Sequence, residues 1–221
     1  MSRQLANHDR SSERRRAAAS VRRLSSGSVQ SLAVAAKWNA AMATAQLVVA
    51  GITGNAGFAN EAAHNFADMV SYDAKHRAMR HENFVAAKRL RKLGAGLMLA
   101  GGLSSGGMVA YHGFNHHPEQ ASVWLVAAAV GGAAINWRVA RRVEDAQYDG
   151  VDHDMARGSH HDGKSHAWLD ARTGLVYAAG LTTQIVAQDQ LPYAGLVAAG
   201  VASAWTAKTA TNLLRGIEEH Q

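Results

Sequence analysis

Cysteine is absent from the 221-residue chain, which excludes disulfide frameworks, thiolate metal sites and cysteine nucleophiles together. Any metal must therefore be held by His, Asp, Glu or backbone oxygen. Proline occurs only twice, beside 21 Gly and 48% apolar residues, a balance that excludes collagenous and disordered classes. No Walker A, G-x-S-x-G, H-E-x-x-H or dinucleotide-binding glycine pattern is present, so ATP drive and the common hydrolase chemistries lack support. A secretory signal is missing too, because residues 1–30 carry Arg and Ser without an apolar core. That segment reads as a solvated tail, with a short amphipathic surface helix as the alternative.

Acid is scarcer than base, 17 Asp and Glu against 23 Lys and Arg, for a net charge of +6. A basic chain ordinarily suggests nucleic acid, but here the position of the charge excludes that partner and points to a bilayer. A helical span needs about 20 residues. Leu93–Tyr111, Ala121–Trp137 and Leu191–Ala207 are long uncharged runs, the last entered by Pro192 at its first turn. Weaker stretches run from Leu32 to Gly51, Phe58 to Met79 and Ser165 to Ala187, each carrying polar or charged groups. The mean hydropathy of −0.17 is low for a membrane protein. Polar residues gather in the tail and loops, and the spans use Ala and Gly more than Leu.

Six crossings would leave outer loops at about 52–57, 112–120 and 188–190, none of which holds Lys or Arg. The inner segments hold seven Arg before residue 24, then Lys75, Arg77, Arg80, Lys88, Arg89, Arg91 and Lys92, and later Arg138, Arg141, Arg142, Arg157 and Lys164. Lys208 and Arg215 follow the last span. By the positive-inside rule both termini are cytoplasmic. The expected fold is an all-α integral membrane bundle of six transmembrane helices over 31–212, with termini in. It has a tail at 1–30, a cytoplasmic His/Asp-rich loop at 144–165 and a short tail at 213–221. A soluble helical bundle with a basic face is the plainer alternative.

Carboxylates inside a span cost roughly 2.5–3.5 kcal/mol each and usually mark function. The second span reads NEAAHNFADMV and the fifth SHAWLDARTGLV. They set His64 four residues before Asp68, and His166 four residues before Asp170. Residues i and i+4 share a helix face, so each span offers one imidazole and one carboxylate to the same side. Two such faces opposed would make a pocket of two N and two O donors, a set Zn²⁺ accepts. Two carboxylates would also neutralise the dication. One such pair on a soluble helix is usually chance or a surface ion pair; two pairs in two spans favour a route for metal over a structural site. Arg172 either pairs with Glu61 or an Asp, weakening the site, or points to another face of its helix; the second is expected, because i and i+2 do not face each other.

At these residues the chain resembles the cation diffusion facilitator family, whose second and fifth spans each carry a His or Asp, three residues and an Asp. Gly54, in TGNAGFANEAAHNFADMVSY, resembles the family's turn before the second span. Glu61 sits where zinc-type members often have an acid. Asn136 and Pro192 resemble residues common in the fourth and sixth spans, and the likeness covers roughly 35–215. It implies secondary transport of Zn²⁺, or of Cd²⁺, Co²⁺ or Mn²⁺, by proton antiport, with His64, Asp68, His166 and Asp170 as the metal site. His64 matches the zinc-selective pattern. The family's C-terminal cytoplasmic domain has no counterpart before Gln221, so a short form is expected. The protein would be a transporter and not an enzyme, with metal, protons and lipid as partners and a homodimer left open. The Ala/Arg/Gly-rich composition points to a bacterial plasma membrane.

His153, His160 and His161, among Asp149, Asp152, Asp154 and Asp162, resemble the family's metal-collecting loops; a plain hydrophilic linker is the equal alternative. His112, His116 and His117 read as incidental. Gly101, Gly102, Gly106 and Gly107 permit close helix approach, within the protomer more readily than across a dimer seam. Two other function classes remain open: an intramembrane metal-dependent enzyme, and a metal-binding scaffold that does not transport.

Overall fold

A computed structural model describes residues 29–81, 84–147 and 153–219, with backbone alone at 75, 78–81, 84–88, 91, 144–147, 153–167 and 216–219. The described residues form six helices and no strand. These are α1 (Val29–Thr53), α2 (Ala56–His81), α3 (Phe84–Phe114), α4 (Val123–Gln147), α5 (His153–Val186) and α6 (Ala194–Glu219).

Local chemistry sets the helix ends. Gly54 adopts a φ of 66° between α1 and α2, a conformation that favours glycine. Asn55 then caps α2, its Oδ1 accepting from the Phe58 N–H at 3.3 Å. Helix α3 closes with the His117 N–H on the His112 carbonyl at 2.9 Å and the His116 N–H on the Gly113 carbonyl at 3.3 Å. His116 takes the left-handed position at φ 54°, so the pattern is that of a Schellman ending. Pro192 precedes α6 in a turn and lies outside the helix it was expected to open.

Packing runs α2 on α3, α3 on α6, α6 on α5 and α5 on α4, with α2 also touching α5 and α6. Helix α1 joins α2 and α4 through Leu32, Ala35 and Ala36 against Tyr72, Val139 and Val143. Small residues set these distances. A side chain at Gly102 would meet the α6 backbone, 3.1 Å from the Ala207 nitrogen and 3.2 Å from the Ser203 oxygen. One at Gly101 would meet Ala63 of α2, whereas Gly106 and Gly107 face open space. Of the glycines at 101, 102, 106 and 107, the first two thus serve packing within the chain.

Beside its apolar core the bundle buries polar and ionisable side chains and exposes large apolar ones. Asn39, Asn60, Glu61, His64, Asp68 and Asp170 are buried, while Leu47, Ile52, Leu103, Trp124, Val186 and Val197 are exposed. Three helices, Val29–Thr53, Lys92–Phe114 and Val123–Val143, are long and apolar enough to cross a membrane. Helices α2 and α5 carry buried acids, and α6 is rich in Ala, Gly, Ser and Thr. The stretch expected as a loop over 144–165 is helical to Gln147 and again from His153, with no proline to interrupt it. Its side chains lie outside the described residues, as does the tail before residue 29.

Candidate functional site

Helices α2 and α5 hold the site between them. Along α2, Glu61, His64, Asp68 and Tyr72 follow at intervals of three or four and are all buried, which places them on one face. Along α5, Asp170, Thr173, Tyr177, Leu181 and Gln184 repeat the same pattern and are buried as well. Arg172, between them in sequence, is exposed, as expected from its offset around the helix.

The two faces meet at His64 and Asp170, whose Nδ1 and Oδ1 atoms lie 2.6 Å apart with both side chains out of solvent. That separation suits a charge-assisted hydrogen bond. Asp68 is one turn further along α2 and buried. Three of the four expected metal ligands therefore line a single interior seam. The side chain of the fourth, His166, lies outside the described residues, although its backbone belongs to α5 one turn before Asp170. His153, His160 and His161 also lie on α5 with undescribed side chains. Among the described residues, no three His, Asp or Glu side chains already form a metal-holding group.

Further polar groups line the seam. Glu61 lies within hydrogen-bonding reach of Thr173, and its Oε1 has no hydrogen-bond partner among the described residues. Asn65 donates to Gln46 of α1 at 2.8 Å, and Asn60 donates to Thr206 of α6 at 3.2 Å. These links pin α2 to three neighbours and fix the faces of His64 and Asp68. Tyr72, near Asp68 and Asp170, closes one end.

A second cluster closes the other end. Glu119, in the connection between α3 and α4, is buried. Its Oε1 accepts from the Ala56 N–H at 2.5 Å, and its Oε2 accepts from the Tyr177 hydroxyl at 2.7 Å. Tyr177 also contacts Asn55 Oδ1, and its ring stands where a side chain on Gly57 would be. Gln184 donates to the Glu119 carbonyl at 2.6 Å and accepts from the Gly195 N–H at 3.0 Å. Burial holds the Glu119 carboxyl above the ordinary carboxylate range, against lowering by Tyr177, the amides of Ala56 and Gly57, and His112. This cluster was not expected from the sequence, where the outer connections stood out for their lack of Lys and Arg and for His112, His116 and His117. The available signal was Glu119 itself, the one acid in the stretch 112–120.

No family model and no curated protein matches this sequence.

Proposed function

We propose that the protein is a six-span membrane carrier that moves Zn²⁺, or a similar divalent cation, in exchange for protons. The buried His64–Asp170 pair at 2.6 Å, joining two helices that each bear an imidazole and a carboxylate four residues apart, carries this reading. His64, Asp68, His166 and Asp170 are the ligands in it, and the metal is cargo. Support also comes from the apolar exterior, the three sufficiently apolar helices, and the lack of Lys and Arg in the connections at one end. Cytoplasmic termini follow from that last asymmetry.

The chemistry follows from the donor set. Imidazole and carboxylate must lose their protons to bind metal, so affinity rises with pH. On the less acidic side the site binds cargo and releases protons. On the acidic side protons compete the metal away. His64 and Asp170 lie against one another, which keeps either group from standing alone in a low-dielectric interior, and a cation taking both as ligands would have to part them.

The test is ⁶⁵Zn²⁺ flux in reconstituted vesicles with and without an imposed pH gradient. Gradient-dependent flux is expected for the native chain. Asp68→Ala and Asp170→Ala should each lower it by more than the roughly 10–100-fold that loss of a supporting partner costs a metal site, at unchanged expression. Native flux in either variant would remove the site assignment.

A further inference from the structure

The cluster around Glu119 lies at the end of the seam where α2 begins, which the charge map assigns to the outside. It staples one connection to three helices. Residues 115–122 are tied to the start of α2 through Glu119 on Ala56 and through the Asn55 amide on the Gln120 carbonyl at 3.4 Å. They are tied to α5 through Tyr177 and Gln184, and Gln184 carries the tie to α6. Behind this staple, on the same face of α5, come Thr173 and then Asp170. Tyr177 is close enough to Glu61 to sense its charge, so the staple adjoins the seam directly.

Proton counting adds a condition. The Tyr177 hydroxyl has one proton but touches two acceptors, Asn55 Oδ1 and Glu119 Oε2. Asn55 cannot help by reversing its amide, because Oδ1 already accepts from Phe58 and Nδ2 donates to Gln120. With Glu119 ionised, one buried oxygen faces another with no hydrogen between them, a costly arrangement. A proton on Oε2 resolves it: Glu119 donates to Tyr177, Tyr177 donates to Asn55, and Oε1 still accepts from Ala56. Among the described residues, the titratable groups that act on Glu119 are Tyr177 and His112 of α3, and His116, His117 and Asp189 are exposed.

We propose that residues 115–122 form the outer gate of the α2–α5 seam, latched by Glu119 on Tyr177 and on the start of α2, and that the latch is closed when Glu119 carries a proton. The proposal rests on the carrier reading for its sidedness and extends it. A proton taken up from the outside after cargo leaves would reseal that side. Loss of the proton would free the connection and expose the seam.

The absence of cysteine makes the chain a ready background for thiol labelling. Thr173→Cys places a reporter between Tyr177 and Asp170, and a membrane-impermeant maleimide is applied to the side bearing the α3–α4 connection. At alkaline pH, Glu119→Gln mimics the protonated acid and should slow labelling severalfold relative to native Glu119. Glu119→Ala and Tyr177→Phe should raise it severalfold. At acidic pH the Gln variant and the native chain should coincide, and same-pH comparison cancels the thiol's own titration. Gel filtration and thermal melts in detergent confirm that each variant is folded. Native labelling rates in Glu119→Gln at alkaline pH, or no faster labelling in Tyr177→Phe, would overturn the gate. ⁶⁵Zn²⁺ flux is read separately. Labelling that responds in a chain without flux leaves the gate standing and removes the carrier reading; flux with invariant labelling does the reverse.

Discussion

Single residues in this chain act through pairs that cross from one helix to another. Asp170 matters for its placement against His64, and Glu119 for its placement against Tyr177 and the Ala56 amide. Glu119 also makes a thermodynamic prediction. Its carboxyl is held above the ordinary range by burial, so the folded state binds its proton more tightly than the unfolded state does. Stability from this group is therefore complete below the ordinary carboxylate value and is lost as pH rises through the raised one. The thermal midpoint in detergent should fall over that interval, and Glu119→Gln should flatten the fall. An unchanged slope in the variant would assign the pH dependence elsewhere. Of the candidate site, His64, Asp68 and Asp170 were legible in the sequence because helical periodicity alone puts an i, i+4 pair on one face. Glu119 and Tyr177 were not, because they meet across 58 positions of chain and no local spacing encodes that.

Among the elements, the small residues decide how closely helices approach. Gly102 lies against the α6 backbone, whereas Gly106, one turn later on α3, faces open space. Gly102→Leu should force α3 from α6 and destabilise the protein by about 1–3 kcal/mol, the usual cost of overpacking. Gly106→Leu should not destabilise, since a side chain there meets open space and loss of a mid-helix glycine gains about 0.5–1 kcal/mol of helix propensity. Thermal unfolding of the two variants side by side checks this. Equal losses would mean that backbone flexibility, and not approach to α6, sets the requirement for glycine. The helices themselves were largely legible: each expected apolar stretch overlaps one of the six, overrunning it by one to three residues at Ala121, Ala187 and Leu191. Their ends were less so. Helix α6 begins after Pro192 because the Gln184 side chain takes the Gly195 N–H, and α5 begins at His153 within a segment whose polarity had suggested a loop.

For the whole molecule, exposed Lys37, Arg138, Arg141, Arg142 and Arg215 lie toward the ends of their helices opposite the Glu119 cluster, whereas exposed Arg172 lies at the level of Asp170. Arg141 lies over the Trp137 ring, 5.0 Å from its centre, as a long side chain reaching back to an interface would. The proposed topology predicts that reporters fused after residue 219 and before residue 29 face the cytoplasm, and that one inserted at Asn115 faces outside. A cytoplasmic reporter at Asn115 would invert or cancel the six-span arrangement. Among the described residues α1, α3 and α4 are apolar enough to be recognised by composition; α1 had read as one of the weaker stretches, and the uncharged run of α6, rich in Gly, Ser and Thr, is not among them. In α2 and α5 the polar groups that obscure a span are the ones that form the seam.

That seam has a consequence for how the protein is made. In a bilayer, neither α2 nor α5 has a tolerable place alone, since each carries ionisable groups with nowhere to hide from lipid. Each follows directly in the chain after a helix long and apolar enough to cross a membrane: α1 before α2, and α4 before α5. Insertion would then proceed in two hairpins, with the polar helix of each shielded by its forerunner until the halves meet. The contact between His64 and Asp170 would form when the halves meet, so that pair would also mark completed assembly.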